Sequence, residues 1–317
     1  MEKTQPLIIF KNKYNSYNNA VNYNRHIKFC GQTCSIKNTR SLKNNGLKKI
    51  LNPVKTFLIQ KFEKTFIFRP KKIIHPIPEG LKGIIQQVET LTQDGLNLKH
   101  YYIPAKDGKK TIVFCHGIKH SNTKFFNVAE FLNKNGYGAF LLEYRGFGKN
   151  PGTPGEKGFY KDFDSIAKFL NKNGIKEKDT VLWGFSMGGG VAVEAAKTNK
   201  YAGLILNNTF TTMREEIESF PNNRFLLKNK FSQKIIKTIL SKILPLGTAF
   251  ENIKKIPNIK SRTLILHSKN DKTIPYQMSE KLAKACPQAE LYISQKGSHK
   301  QLGWTEEKIL EFLNSLN

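Results

Sequence analysis

Residues 181–197 read "VLWGFSMGGGVAVEAAK", and the fold is decided there. An apolar run climbs to Gly184-Phe185-Ser186-Met187-Gly188, and small, helix-tolerant residues follow at once. A strand pattern becomes a helix pattern at a serine between two glycines. This is the setting in which G-x-S-x-G lifts a serine hydroxyl above the edge of a sheet on a sharp strand-to-helix turn. Such a turn strains the serine's backbone and crowds its neighbours, so Gly184 and Gly188 must stay small. It also aims backbone N–H groups of the helix start at the space above Ser186, where they can stabilise charge developing on a carbonyl oxygen. A glycine turn that serves structure alone is the competing reading.

Around this stretch the chain alternates strand-like and helix-like segments. "IIQQVETLT" (84–92) and "LNLKHYYIP" (96–104), split by Asp94-Gly95, read as a hairpin. Short apolar runs suited to strands buried on both faces follow at 111–116, 138–144, 180–186, 202–208, 263–268 and 290–294. Helix-length segments lie between most of them, at 123–134, 159–173, 187–198, 276–286 and 304–316. The pattern predicts an α/β fold with about eight strands, mostly parallel, and helices on both faces. Residues 210–258 are too long for one crossover and hold amphipathic patterns around 211–220 and 231–244. They read as a helical cap at the edge of the sheet where open α/β folds bind ligands.

A serine is a weak nucleophile without an adjacent base. Among the seven histidines, His26 and His75 precede the domain, His100 lies in the hairpin, and His267 ends a strand as a packed side chain. His299, in "SQKGSHKQL" (294–302), stands in a glycine-bearing loop between the last strand and the last helix. Asp271, in the loop after the preceding strand, is the carboxylate for that imidazole, with Glu143 as the reserve. The order Ser186, Asp271, His299 is that of one of the three known triad arrangements. "VFCHGIKHSN" (113–122) supplies the other oxyanion donor: His116-Gly117 allows a tight turn, so the backbone N–H of Ile118 can face the site beside that of Met187. His116 reads as a structural hydrogen-bonding residue and not as a second base.

On His116-Gly117, Gly184 to Gly188, Asp271 and His299, the chain resembles the α/β-hydrolase superfamily over about residues 80–317. "EYRGFGKNPGTPGEKGFYKD" (143–162) and "NNTFTTMREEI" (207–217) are similar to segments of small bacterial hydrolases related to acyl-protein depalmitoylases, which also share a serine-aminopeptidase-like profile. The resemblance implies Ser186 as nucleophile, His299 as base and then acid, Asp271 as its partner, and Ile118 and Met187 as backbone donors. It implies no metal and no organic cofactor. Tyr144, Arg145, Gly146 and Gly148 would shape the loop beside the pocket.

The 317 residues carry a net charge of +28, and residues 1–80 hold sixteen Lys/Arg against three Asp/Glu. Residues 1–48 are basic and Asn-rich and read as a disordered N-terminus. Residues 49–80 are a cationic lead-in to a domain spanning 81–317. Within 52–68, Val54, Phe57, Leu58, Phe62 and Phe66 recur at helical spacing among lysines. That stretch either packs on the domain or makes weak peripheral contact with an anionic membrane surface. The basic excess is spread along the chain without a nucleic-acid-binding motif, so no nucleic acid is expected. Cys30, Cys34, Cys115 and Cys286 fit free thiols in a reducing compartment. With no secretory signal or membrane span legible, the expectation is a cytoplasmic protein, or one peripheral at the inner membrane surface. The sequence leaves oligomeric state open. The expected activity is hydrolysis of an acyl ester or thioester; an aminopeptidase, with Glu215, Glu216 and Glu218 holding an ammonium, and a non-catalytic membrane-associated protein are the alternatives.

Overall fold

A computed structural model describes residues 67–68, 70, 72–106, 108–219, 249–300 and 305–316. The basic segment 1–48, the apolar set from Val54 to Phe66 and the centre of the insertion, with its pattern at 231–244, lie outside the described residues. Eight strands form one sheet: β1 (Gln86–Leu91), β2 (Asn97–Ile103), β3 (Thr111–Cys115), β4 (Gly138–Leu141), β5 (Thr180–Phe185), β6 (Gly203–Asn207), β7 (Arg262–Ser268) and β8 (Ala289–Ser294). Their order is β1-β2-β4-β3-β5-β6-β7-β8. β2 pairs antiparallel with β1 and β4, and every later pairing is parallel.

The central strands β3, β4, β5 and β6 are buried along their whole length, as continuous apolar runs require in a sheet covered on both sides. Successive side chains point to opposite faces. Leu182 therefore joins one core with Phe140 and Leu206, while Val181 and Trp183 join the other with Phe114 and Leu141. On the first face lie α2 (Glu156–Lys172), α3 (Met187–Ala196) and α6 (Gln277–Ala285); on the second lie α1 (Phe126–Lys134) and α7 (Glu306–Asn314). This is the α/β-hydrolase architecture the sequence predicts. The chain leaves β3 for β4 and returns to β5 on the far side of β3, so the strand order reverses there. Ligand crevices of open α/β sheets form at the C-terminal ends of strands at such a point.

One segment differs from its sequence reading. Helix α2 starts at Glu156, three residues before its amphipathic period, because the Glu156 carboxylate accepts the backbone N–H groups of Ala249 (2.6 Å) and Phe250 (3.0 Å). Within the expected cap, α4 (Met213–Ser219) and the short α5 (Asn252–Lys255) are described. Within residues 249–258, Phe250 and Ile256 are fully buried, and the Phe250 ring packs on Phe159 and Phe210. Of the lead-in, Ile67 and Phe68 are buried in the same core, with Phe68 edge-on to Phe159 at 5.1 Å.

The loop after β4 is pinned by Arg145. Its backbone N–H and Nε donate to Asp162 at 2.9 and 2.7 Å, while the two guanidinium NH2 groups donate to both oxygens of Asp94 at 2.8 and 3.0 Å. One planar cation thus ties the β1–β2 turn, the β4 loop and α2 together. Beneath that loop, His100 accepts the backbone N–H of Glu143 on Nδ1 (3.0 Å) and meets Thr90 Oγ1 through Nε2 (2.9 Å). Burial lowers its pKa to about 3. No helix among the described residues is long and apolar enough to cross a membrane.

Candidate active site

Ser186 sits between β5 and α3 with φ 54° and ψ −121°. That conformation costs a non-glycine residue on the order of 1–3 kcal/mol. Surrounding bonds hold it there. Ser186 N–H donates to the Asn207 carbonyl (3.0 Å), and the Ser186 carbonyl accepts Gly189 N–H (3.0 Å) and the Thr209 hydroxyl (2.7 Å). The glycines are fixed by contact. A Cβ on Gly184 would stand 2.5 Å from Gly189 Cα, and one on Gly188 would overlap the Cys115 carbonyl and lie 2.8 Å from the His116 oxygen. The loop after β3 runs alongside, since a Cβ on Gly117 would lie 3.3 Å from Ser186 Cβ. Ile118 follows in that loop and Met187 opens α3, so both candidate backbone donors stand on segments that border Ser186.

Asp271 and His299 meet: His299 Nδ1 lies 2.7 Å from Asp271 Oδ2. The His299 ring also packs on Phe185, the neighbour of Ser186, with centroids 5.3 Å apart. Asp271 Oδ1 accepts backbone N–H groups from Thr273 (2.7 Å) and Ile274 (2.9 Å). Burial pushes the Asp271 pKa up, but hydrogen bonds from His267 and His299 and the bond from Ile274 N–H prevail, and it is held well below the usual carboxylate range. An ionised carboxylate facing an imidazole Nδ1 fixes the tautomer that leaves Nε2 as the free base.

Glu143, the reserve acid, does not take this role. Its Oε1 lies 3.0 Å from His116 Nε2 and its Oε2 accepts Asn122 N–H at 3.1 Å. The sheet register dictates the pairing: Phe114 is opposite Leu141, so residues 116 and 143 leave adjacent strands at the same level. His116 Nδ1 lies 2.8 Å from the Gly117 carbonyl, so His116 is a structural residue under the loop that carries Ile118.

Two features escaped sequence reading. Asn207-Asn208-Thr209, at the end of β6, links the other loops: beyond the bonds to Ser186, Asn208 Oδ1 accepts Ser268 N–H (3.0 Å), and its Nδ2 makes longer contacts to the carbonyls of Ser298 (3.5 Å) and His299 (3.4 Å). The signal was a run of polar residues closing an apolar strand. The second is His267, whose ring faces the same Asp271 oxygen as His299. Of the insertion's carboxylates, Glu215 pairs with Lys281 and Thr211. Glu216 feels the negative charge of Asp271; burial first and that charge second raise its pKa to about 8, with Lys119 opposing. Cys115 and Cys286 are buried free thiols. Among the described residues, no group of three or more His, Cys, Asp or Glu side chains could hold a metal ion.

The strand order, the two helical layers and the strained serine turn define an α/β-hydrolase fold. The family model of serine aminopeptidases, S33, matches residues 106–251. The uncharacterized protein YfhR of Escherichia coli (strain K12) is 26% identical over 237 residues, which are 71% of this chain and 76% of that one. The lysophosphatidylserine lipase ABHD12 of Bos taurus is 30% identical over 160 residues, 48% of this chain and 38% of that one. In fold, an alpha-beta hydrolase from Vibrio vulnificus superposes with a TM-score of 0.64 at 21% identity, covering 82% of this chain and 93% of that structure.

Proposed function

We propose that the chain is a serine hydrolase that cleaves carboxylic esters or thioesters of acyl chains through an acyl-enzyme. Ser186 attacks the carbonyl carbon while His299 takes its proton. The oxyanion is held between the backbone N–H groups of Ile118 and Met187. His299 returns the proton to the leaving oxygen or sulfur; it then activates water, which releases the acyl group as a carboxylic acid and regenerates Ser186. Asp271 keeps Nδ1 protonated and stabilises the imidazolium. The observation that carries this reading is the 2.7 Å His299–Asp271 bond with the imidazole packed on the residue beside a strained Ser186. The lipase named among the relatives is consistent with an acyl substrate.

Two of the three carboxylates offered for the aminopeptidase alternative are poorly suited to holding an ammonium. Glu215 is engaged by Lys281, and a Glu216 with a pKa of about 8 is mostly neutral at pH 7. Labelling by a fluorophosphonate probe tests the nucleophile, and p-nitrophenyl esters of increasing chain length set against aminoacyl anilides test the substrate class. Wild type should label and cut esters faster than anilides. Ser186→Ala should lose turnover by about 10⁴-fold or more. Equal labelling of both proteins, or anilides cut as fast as esters, overturns the reading.

A further inference from the structure

We infer that His267 is a positioning residue that locks the Asp271 carboxylate toward His299. The inference rests on the triad reading above. His267 lies near the end of β7 and is fully buried. Its Nε2 faces two oxygens that only accept, the Ile274 carbonyl at 3.0 Å and Asp271 Oδ2 at 3.3 Å. A ring nitrogen set between two such acceptors must carry the proton. Its Nδ1 lies 2.7 Å from the Ser279 hydroxyl, which can donate into it in that tautomer. His267 thus presents an N–H to Asp271 whichever protonation state His299 holds.

The consequence is geometric. Oδ2 is bonded to His299 Nδ1 at 2.7 Å and faced by His267 Nε2 at 3.3 Å, while Oδ1 receives the backbone N–H groups of Thr273 and Ile274. A carboxylate offers about four lone-pair directions, and here three bonded donors and the nearby His267 Nε2 face them. Its plane cannot turn without breaking bonds on both oxygens. If the N–H of His267 is removed, the imidazole of His299 alone orients Oδ2, and the residue that must move a proton then has to hold its own support in place. The spacing is local: His267 and Asp271 are four residues apart, so the turn closing β7 delivers both at once.

Two substitutions separate positioning from mere core filling. Gln carries its amide nitrogen near the place of imidazole Nε2, whereas Asn carries it near Nδ1. In the full-length protein, His267→Asn should lower kcat for a p-nitrophenyl ester by about ten- to a hundredfold, the scale of one lost hydrogen bond to a charged group. KM should stay within about twofold, since uniform substrate binding is untouched. His267→Gln should restore most of kcat. The second readout needs no substrate: the low-field proton resonance of His299 Nδ1–H, identified by its loss in Asp271→Asn, should persist in His267→Gln and vanish in His267→Asn. Equal losses in both variants, or wild-type kcat and resonance in both, overturn the inference. Should His267→Asn fail to fold, His267→Gln decides alone: a retained resonance supports the role and a lost one refutes it. If wild type turns over no ester, the proposed function fails, and the resonance still judges His267.

Discussion

Replacing Gly184 by Ala tests whether the serine turn is held by contact. The new methyl would lie 2.5 Å from Gly189 Cα and 2.7 Å from both Gly188 O and Gly189 N. All three are backbone atoms, so no side chain can swing aside. Ordinary contact for such a carbon begins at 3.4 Å; the first turn of α3 must retreat by the difference, 3.4 − 2.5, or about 0.9 Å. Overpacking of this size costs about 1–3 kcal/mol, which lowers Tm by roughly 2–12 °C for a domain of this length. The protein should stay folded at 25 °C. Activity is more sensitive: Met187 N–H rides on the displaced turn, and a misplacement near 1 Å costs about 10²-fold. Fluorophosphonate labelling rates, measured beside a thermal melt, separate the two effects. Gly80→Ala, whose methyl meets only the Glu130 side-chain end at 3.1 Å, is the control. A Gly184→Ala protein that labels at the wild-type rate refutes the claim that the turn sets the geometry.

The other predictions concern the polar framework beneath the site. Arg145→Ala strands the buried carboxylate of Asp162, whose pKa burial already raises to about 6 against the pull of Arg145, and should cost about 3–5 kcal/mol in urea unfolding; a loss under 1 kcal/mol counts against the clamp. His100 gives a pH test. The unfolded chain binds this proton below about pH 6.5 and the native ring refuses it until about 3, so its contribution is intact above 6.5 and is lost as pH falls between those values. Between pH 7 and pH 5 that amounts to about 2 kcal/mol. Wild type should therefore lose about 2 kcal/mol more than His100→Gln over this interval, a comparison in which the opposing contributions of Glu216 and Asp162 cancel; equal pH dependence in the two proteins refutes it.

Much of this fold was legible because its signals are local. Continuous apolar runs mark strands buried on both faces, and the serine between two glycines marks the junction of β5 with α3. Asp271 and His299 were legible because each stands in the loop after its own late strand. What stayed hidden depends on strand order, which local pattern does not carry. Glu143 looks available from sequence, yet the β3–β4 register delivers it to His116. His267 looks like a packed strand residue, which it is, but its Nε2 faces the site's carboxylate. Phe250 sits in a stretch that reads as cover, and only the close approach of its ring to Gly190 shows that it belongs under α3.

The distances between strands explain why so many polar side chains gather at one edge of the sheet. β5, β6, β7 and β8 are consecutive neighbours. Ser186 and His299 leave strands three steps apart, about 14 Å at the usual strand spacing. No histidine side chain spans that gap, so the loop after β8 must lean back across β7 and β6. The packing of the His299 ring on Phe185, on β5, shows that it does. Each strand crossed supplies a hold: Asp271, after β7, binds the imidazole, and Asn208, after β6, touches the backbone carbonyls of Ser298 and His299. Asn208 takes φ 47°, a left-handed conformation that asparagine tolerates better than most residues, and this lets one side chain face both the β7 end and the histidine loop. A long loop held at only one of these points would lose the orientation that sets the His299 ring on Phe185. The polar run closing β6 is therefore as much a part of the site's construction as the residues that would perform the chemistry.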